Sequence, residues 1–250
     1  MKRLFKKNTE RGNETFSSQW VHVFNPMLFS QFIVAGSHYG SLFEITSDAD
    51  VEMKRKNDVY DVSMKGMLNY KPNDSHKVDF GFETKYNQIK FSCTSKNVNL
   101  DSNSFPDLTT HSITQAVYAQ DTWDINPFWT LQPGLRVSLF HSTTDDLKNA
   151  PDANYFRVSP RLSLRYKVGL VSSIYANYGR YYQFLTSVNL GVSSPIDLWF
   201  PLDGNVDPGI SNHYILGFNS QLNNYLAFEV EGYYKDYDNL VEYRIETDYE

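Results

Sequence analysis

Arg157, Arg161 and Arg165 recur at every fourth position of "FRVSPRLSLRYK", with Ser159 and Ser163 between them. On an extended strand, side chains two apart share a face, so these guanidinium and hydroxyl groups would form one row. Guanidinium forks bind carboxylate and phosphate groups and steer anionic solutes. The favoured reading of the row is a solvated wall, balanced by carboxylates such as Glu229 and Glu231 on other strands. A second group is aromatic. Trp199 and Phe200 stand in the polar stretch "SSPIDLWFPLDGN", and Tyr181 and Tyr182 end the strand-like segment before it. Aromatic side chains in loops on a rigid scaffold are candidates for ligand contact.

Other chemistry finds little support. His22, His38, His76, His111, His141 and His213 lack the i, i+4 or cysteine-partnered spacing of a metal site. Cys93 is the only cysteine. Beside Ile89 and Phe91 it reads as a small apolar strand residue. Neither Gly-x-Ser-x-Gly nor a phosphate-binding loop is present. His141 and Ser142 lie near Asp145 and Asp146, but neighbours within one loop rarely make an oriented triad. The expectation is a protein that is not an enzyme and needs no cofactor.

The elements that must position these residues are strands. Phe156, Val158, Pro160, Leu162, Leu164 and Tyr166 form an apolar face opposite the arginine row. Ten steps of about 3.3 Å, tilted by about 45°, advance roughly 23 Å. The lipid-facing band of an outer-membrane barrel is about 25 Å tall, with aromatic residues at both edges. Phe156 and Tyr166 occupy the two ends of the predicted strand. Trp129, Leu131, Leu135, Val137 and Leu139 repeat the pattern, as do Leu226, Phe228, Val230 and Tyr234. Val117, Ala119, Trp123 and Ile125 do so with Asp121 as an interruption.

Short turn signals alternate with long polar stretches. The turns are "FNPML", "YKPNDSHK", "INPFW", "KVGL" and "LNNYL", around Asn25, Asn73, Asn126, Gly169 and Asn223. Between them lie "SDADVEMKRKND", "TSKNVNLDSNSFPDLTT", "HSTTDDLKNAPDAN" and "TSVNLGVSSPIDLWFPLDGNVDPGISN". Short turns would then lie at one end of a sheet, and long loops, with Asp145 and Asp203, at the other. A large soluble β-sandwich shows the same alternation, but its strands usually run about 5 to 6 residues.

Composition sets further bounds. The chain has 250 residues, a formal net charge of -6 and 16% aromatic residues. That charge gives no basis for nucleic-acid binding. No apolar run reaches the length of a membrane helix, which leaves a strand-built membrane protein open. "MKRLFKKNTERGNE" begins basic without an apolar stretch behind it, so it does not read as a signal peptide.

"VYAQDTWDINPFWTLQPGLRVSLF" (Val117 to Phe140), "SPRLSLRYKV", "IYANYGRYYQ", "NHYILGF" and "FEVEGYYKDYDNLVEY" occur in an order and spacing that resemble TonB-dependent outer-membrane receptors, especially the large receptors of Bacteroidetes-type bacteria. "KVDFGFETKYNQIKF" is similar to an earlier strand of that barrel. The resemblance covers about Thr15 to Tyr243. It implies an all-β, antiparallel, up-and-down transmembrane barrel with short periplasmic turns and long extracellular loops. It further implies a Gram-negative outer membrane, contact with its lipid, and energy-coupled uptake of a siderophore, vitamin or glycan. A plug domain, the TonB complex and a surface lipoprotein would be the partners.

The family's barrel has about 22 strands, whereas this chain offers about ten and no plug. The expectation is an internal piece of barrel forming an open, curved sheet. Residues 1–14 would be a leading loop or strand remnant and 15–250 the barrel domain. A passive porin-like channel and a soluble β-repeat binding module are the alternatives. The first would pair the segment near Trp20 directly with that near Val230.

Overall fold

The computed structural model describes residues 5–47, 51–95, 107–145, 151–189 and 197–241. These residues form twelve strands: β1 (Phe5–Asn25), β2 (Leu28–Ser47), β3 (Val51–Tyr70), β4 (His76–Ser95), β5 (Leu108–Asp124), β6 (Trp129–Thr144), β7 (Ala153–Lys167), β8 (Ser172–Gln183), β9 (Leu185–Asn189), β10 (Asp197–Pro201), β11 (Gly209–Gln221) and β12 (Ala227–Asp238). Ten make one sheet in the order β1-β2-β3-β4-β5-β6-β7-β8-β11-β12, and β9 pairs with β10 as a separate hairpin. Every pairing is antiparallel. The sheet is up-and-down and open: β1 and β12 are its two edges. No helix among the described residues is long and apolar enough to cross a membrane.

Asparagine closes four of the five short turns. Asn126 Oδ1 accepts from the Phe128 and Trp129 amides at 2.9 and 3.0 Å. Asn73 receives Ser75 and His76, Asn223 receives Tyr225 and Leu226, and Asn25 receives Met27. A side-chain carbonyl placed there stands in for a backbone acceptor and fixes the reversal. The fifth turn instead uses Gly169 at φ +89°, a conformation that costs glycine no Cβ clash. All five lie at one end of the sheet. Asp145 and Asp203 lie at the other, following β6 and β10.

Register carries the period-two pattern from strand to strand. Leu139, Val137, Leu135, Leu131 and Trp129 align with Phe156, Val158, Pro160, Leu164 and Tyr166. From Leu164 the same row continues through Ala176 and Leu216 to Gly232. The result is one apolar face across the sheet, with Leu135 48%, Phe156 58% and Leu216 62% exposed. Its turn-side border carries the tilted Trp129–Tyr166 pair and the stacked His76–Trp123 pair, with centroids 4.5 and 5.5 Å apart. On the loop side His38 stacks on Tyr60 at 4.3 Å. Asp121 stays on the apolar face of β5 because His76 Nδ1 lies 2.7 Å from its carboxylate.

The opposite face is polar. Lys85 pairs with Asp61 at 2.6 Å and Arg136 with Glu83 at 2.9 Å. With the apolar side turned outward, this face becomes the inner wall of a partial barrel.

The strands β2 to β4 outrun the apolar band. Twenty residues at about 3.3 Å each, tilted by about 45°, climb roughly 47 Å. Val51–Asp58, expected within a long polar loop, therefore belongs to β3, paired on both sides with β2 and β4 over most of its length. Within the stretch from Thr186 to Asn212, likewise expected as loop, lie most of β9 and all of β10.

Candidate ligand-binding wall

The arginine row stands on the inner wall of β7. Above the Arg161–Gly179 pair the ladder between β7 and β8 ends, and the segment between β10 and β11 closes over the upper part of β7. Arg157 there forms an ion pair with Asp207 at 3.2 Å and sits 5.0 Å from the Tyr155 ring centroid. The Tyr155 hydroxyl lies 3.0 and 2.8 Å from the carbonyls of Asp203 and Val206, which share its single proton. Ser142 donates to the Leu202 carbonyl, and the Gly204 amide to the Pro151 carbonyl at 2.9 Å. Phe140, Ala153 and Leu202 are buried together beneath these bonds, with Tyr155, Phe184, Val206 and Val241 packed around them.

Tyr181 and Tyr182 join this row from opposite sides of β8. Tyr181 follows the inner parity, and Arg161 lies 4.9 Å from its ring while His213 lies 4.8 Å away. Tyr182 has the opposite parity. With no β7 residue paired to it, it lies within 5.8 Å of the Arg157 guanidinium. Guanidinium groups at these distances from aromatic faces are held in orientation by the ring quadrupole. Arg165 is nearer the turns and faces the same interior.

Trp199 and Phe200 are carried by β10, where they pair with Ser187 and Thr186. The Trp199 side chain is exposed. β10 runs across β3, β4 and β5. On the inner wall of β2, β3 and β4, Phe43, Asn57, Ile89 and Phe91 are buried. Cys93 shares the parity of Ile89 and Phe91 and is half-buried. The hairpin thus extends from the loop rim into the interior. Among the described contacts, none joins Trp199 to the arginine–tyrosine group.

The His141–Ser142 pair does not form a hydrolytic site. His141 Nδ1 bonds Asn154 Oδ1 at 2.9 Å, on the face opposite Ser142. Asp145 instead pairs with His111 at 3.1 Å, and Asp146 lies outside the described residues.

Tyr155, Asp207 and Tyr175 went unmarked in the sequence. Tyr155 shares the arginine parity, which is a usable signal. Asp207 and Tyr175 acquire their roles only through contacts some 50 residues distant in sequence.

A family model described as TonB dependent receptor-like, beta-barrel, matches residues 7–249. No curated protein matches the chain. Among solved structures, the ferric preacinetobactin receptor BauA from Acinetobacter baumannii aligns at TM-score 0.66 and 15% identity, over 91% of this chain and 37% of that one. The copper transporter OprC aligns at 0.69 and 11%, over 91% and 39%. FpvA from P. aeruginosa, bound to heterologous pyoverdines, aligns at 0.69 and 13%, over 89% and 32%. The chain thus spans between about a third and two-fifths of the length of these proteins.

Proposed function

The chain belongs to the TonB-dependent receptor β-barrel family, and from that premise we propose that it forms barrel wall in an energy-coupled importer of a Gram-negative outer membrane. Its cargo would be a nutrient such as a siderophore, vitamin or glycan. A plug domain and the TonB complex would act with it in the full-length receptor, and a surface lipoprotein is a further candidate partner. The observation that carries the reading is the division of the sheet into one largely apolar face, interrupted by Asp121, and one polar, charged face. Such a wall meets lipid outside and water inside.

On this reading the ligand-contact candidates are Tyr181, Tyr182, Trp199 and Phe200, with Arg157, Arg161 and Arg165 lining the path. Arg157 would meet an anionic group in competition with Asp207. Tyr181 and Tyr182 offer flat faces beside fixed cations, an arrangement suited to cargo with delocalised or acidic groups.

Energy dependence separates this reading from a passive channel. Cells carrying the gene would be compared with a deletion strain for accumulation of radiolabelled ferric siderophore, cobalamin or oligosaccharide, before and after an uncoupler collapses the inner-membrane proton gradient. Gene-dependent accumulation that stops with the gradient is expected. Gene-dependent accumulation that persists would make it a passive pore.

A further inference from the structure

The chain between β9 and β11 crosses the loop end of the sheet as a strap. β10 runs across β3, β4 and β5. Residues 202–207 then lie against β6 and β7. Strand pairing leaves room for them. Pro160 has no amide hydrogen, and the ladder from β7 to β8 ends at Arg161, one residue short of it. The ladder from β7 to β6 continues through Pro160 to Ala153. Above Arg161, therefore, one edge of β7 has no β8 residue paired to it.

Separate attachments hold the strap where a ladder holds the strands. Ser142 Oγ donates to the Leu202 carbonyl, and the Gly204 amide donates to the Pro151 carbonyl at 2.9 Å. The Tyr155 hydroxyl shares one proton between the Asp203 and Val206 carbonyls. Leu202 packs on Phe140 and Ala153, and Arg157 pairs with Asp207. Isolated bonds of this kind contribute modestly one by one, and segments held by few of them open most readily.

The two partners of the ion pair are held unequally. Arg157 is oriented without Asp207: its guanidinium donates to the Phe156 carbonyl at 3.0 Å and lies 5.0 and 5.8 Å from the Tyr155 and Tyr182 rings. Its side chain is 27% exposed, against 68% for Asp207. Asp207 engages the guanidinium through one oxygen at 3.2 Å. A carboxylate that takes two of the N–H groups would bind Arg157 more strongly.

We propose that the strap is a latch released by a carboxylate group on the cargo, which replaces Asp207 at Arg157 and frees residues 202–207 from the wall. β9 and β10 pair with each other from Leu185–Pro201 to Asn189–Asp197, so that hairpin leaves with them as one body. The inference rests on the uptake reading above and adds to it a chemical class of cargo.

Cysteine labelling of the full-length receptor in intact cells tests the latch. Ser142→Cys, as the only cysteine, places a thiol of nearly the same shape under Leu202, at a position 3% exposed. An impermeant maleimide should label it slowly, at a rate that follows the open population. Succinate, the probe carboxylate, should raise that rate about fivefold at saturation, the effect of losing one exposed ion pair. Asp207→Asn and Arg157→Gln should each raise it about as much without succinate, and Arg157→Gln should abolish the response to succinate. The succinate arm compares one protein with itself, so it does not depend on a charge variant folding. The proposal falls if succinate leaves the rate unchanged, if its effect survives Arg157→Gln, or if either variant labels at the original rate. Labelling requires no uptake. An unresponsive strap in an energy-dependent importer would remove only the latch, and a responsive strap in a gradient-independent pore would remove only the transport reading.

Discussion

Leu162 is 46% exposed on the apolar face, beside Pro133 and Tyr178, while its neighbour Ser163 turns inward and bonds Asn177 at 2.5 Å. One position thus decides whether a side chain meets lipid or water. Leu162→Arg places a guanidinium in the middle of the apolar band and should cost about 2–4 kcal/mol of folding free energy in lipid. Ser163→Arg loses one hydrogen bond, about 1 kcal/mol, and keeps its charge in the aqueous interior. Urea titrations of both variants in bilayers check the pair, and equal costs would mean the faces are reversed. The arginine row itself was legible from its spacing of four. Its partners were not: Asp207 reaches Arg157 from a loop, and the tyrosines reach the guanidiniums across a strand boundary. Those contacts depend on how distant segments come together, which short-range pattern does not encode.

At the scale of the element, turn chemistry and strand pairing set the sheet. Asn126→Ala removes the acceptor of two turn amides and should destabilise the β5–β6 hairpin by about 1–2 kcal/mol. Urea unfolding in lipid measures this, and no loss would show that the turn holds without its side chain. In the same medium Gly217→Ala should cost about 1–3 kcal/mol, because its methyl group meets the Tyr175 ring. Adding Tyr175→Ala should relieve that clash, giving a favourable coupling in the double-mutant cycle, and strictly additive costs would contradict the packing. The β7 strand was readable because its faces meet different solvents along nearly its whole length. The upper half of β3 was not, since Lys54, Lys56 and Asp58 point outward above the band, while Arg55 and Asn57 share its inner side with Met53 and Val59. Where both faces mix polar and apolar residues, hydrophobic alternation disappears although backbone pairing continues.

At the scale of the molecule, the described residues form an open ten-stranded sheet with β1 and β12 at its edges. A ten-strand porin would pair those edges, and the strand order ends at each instead. Backbone groups left unpaired in hydrocarbon cost several kcal/mol each. Along the part of each edge within the apolar band, the sheet in lipid therefore calls for further strands. The sidedness of turns and loops follows from antiparallel pairing: Asp145 lies at the end opposite Asn126, and impermeant labels applied from outside cells should reach a cysteine at Asp145 but not one at Asn126. The central claim is that one face meets lipid and the other water. Its most direct test is a single-cysteine scan from Phe156 to Tyr166 in a Cys93→Ser background, in the bilayer, with an environment-sensitive fluorophore and a spin-labelled lipid quencher. The account predicts quenching at positions 156, 158, 160, 162, 164 and 166 and water-like emission at 157, 159, 161, 163 and 165. Uniform quenching, uniform hydration or the reverse alternation would contradict it.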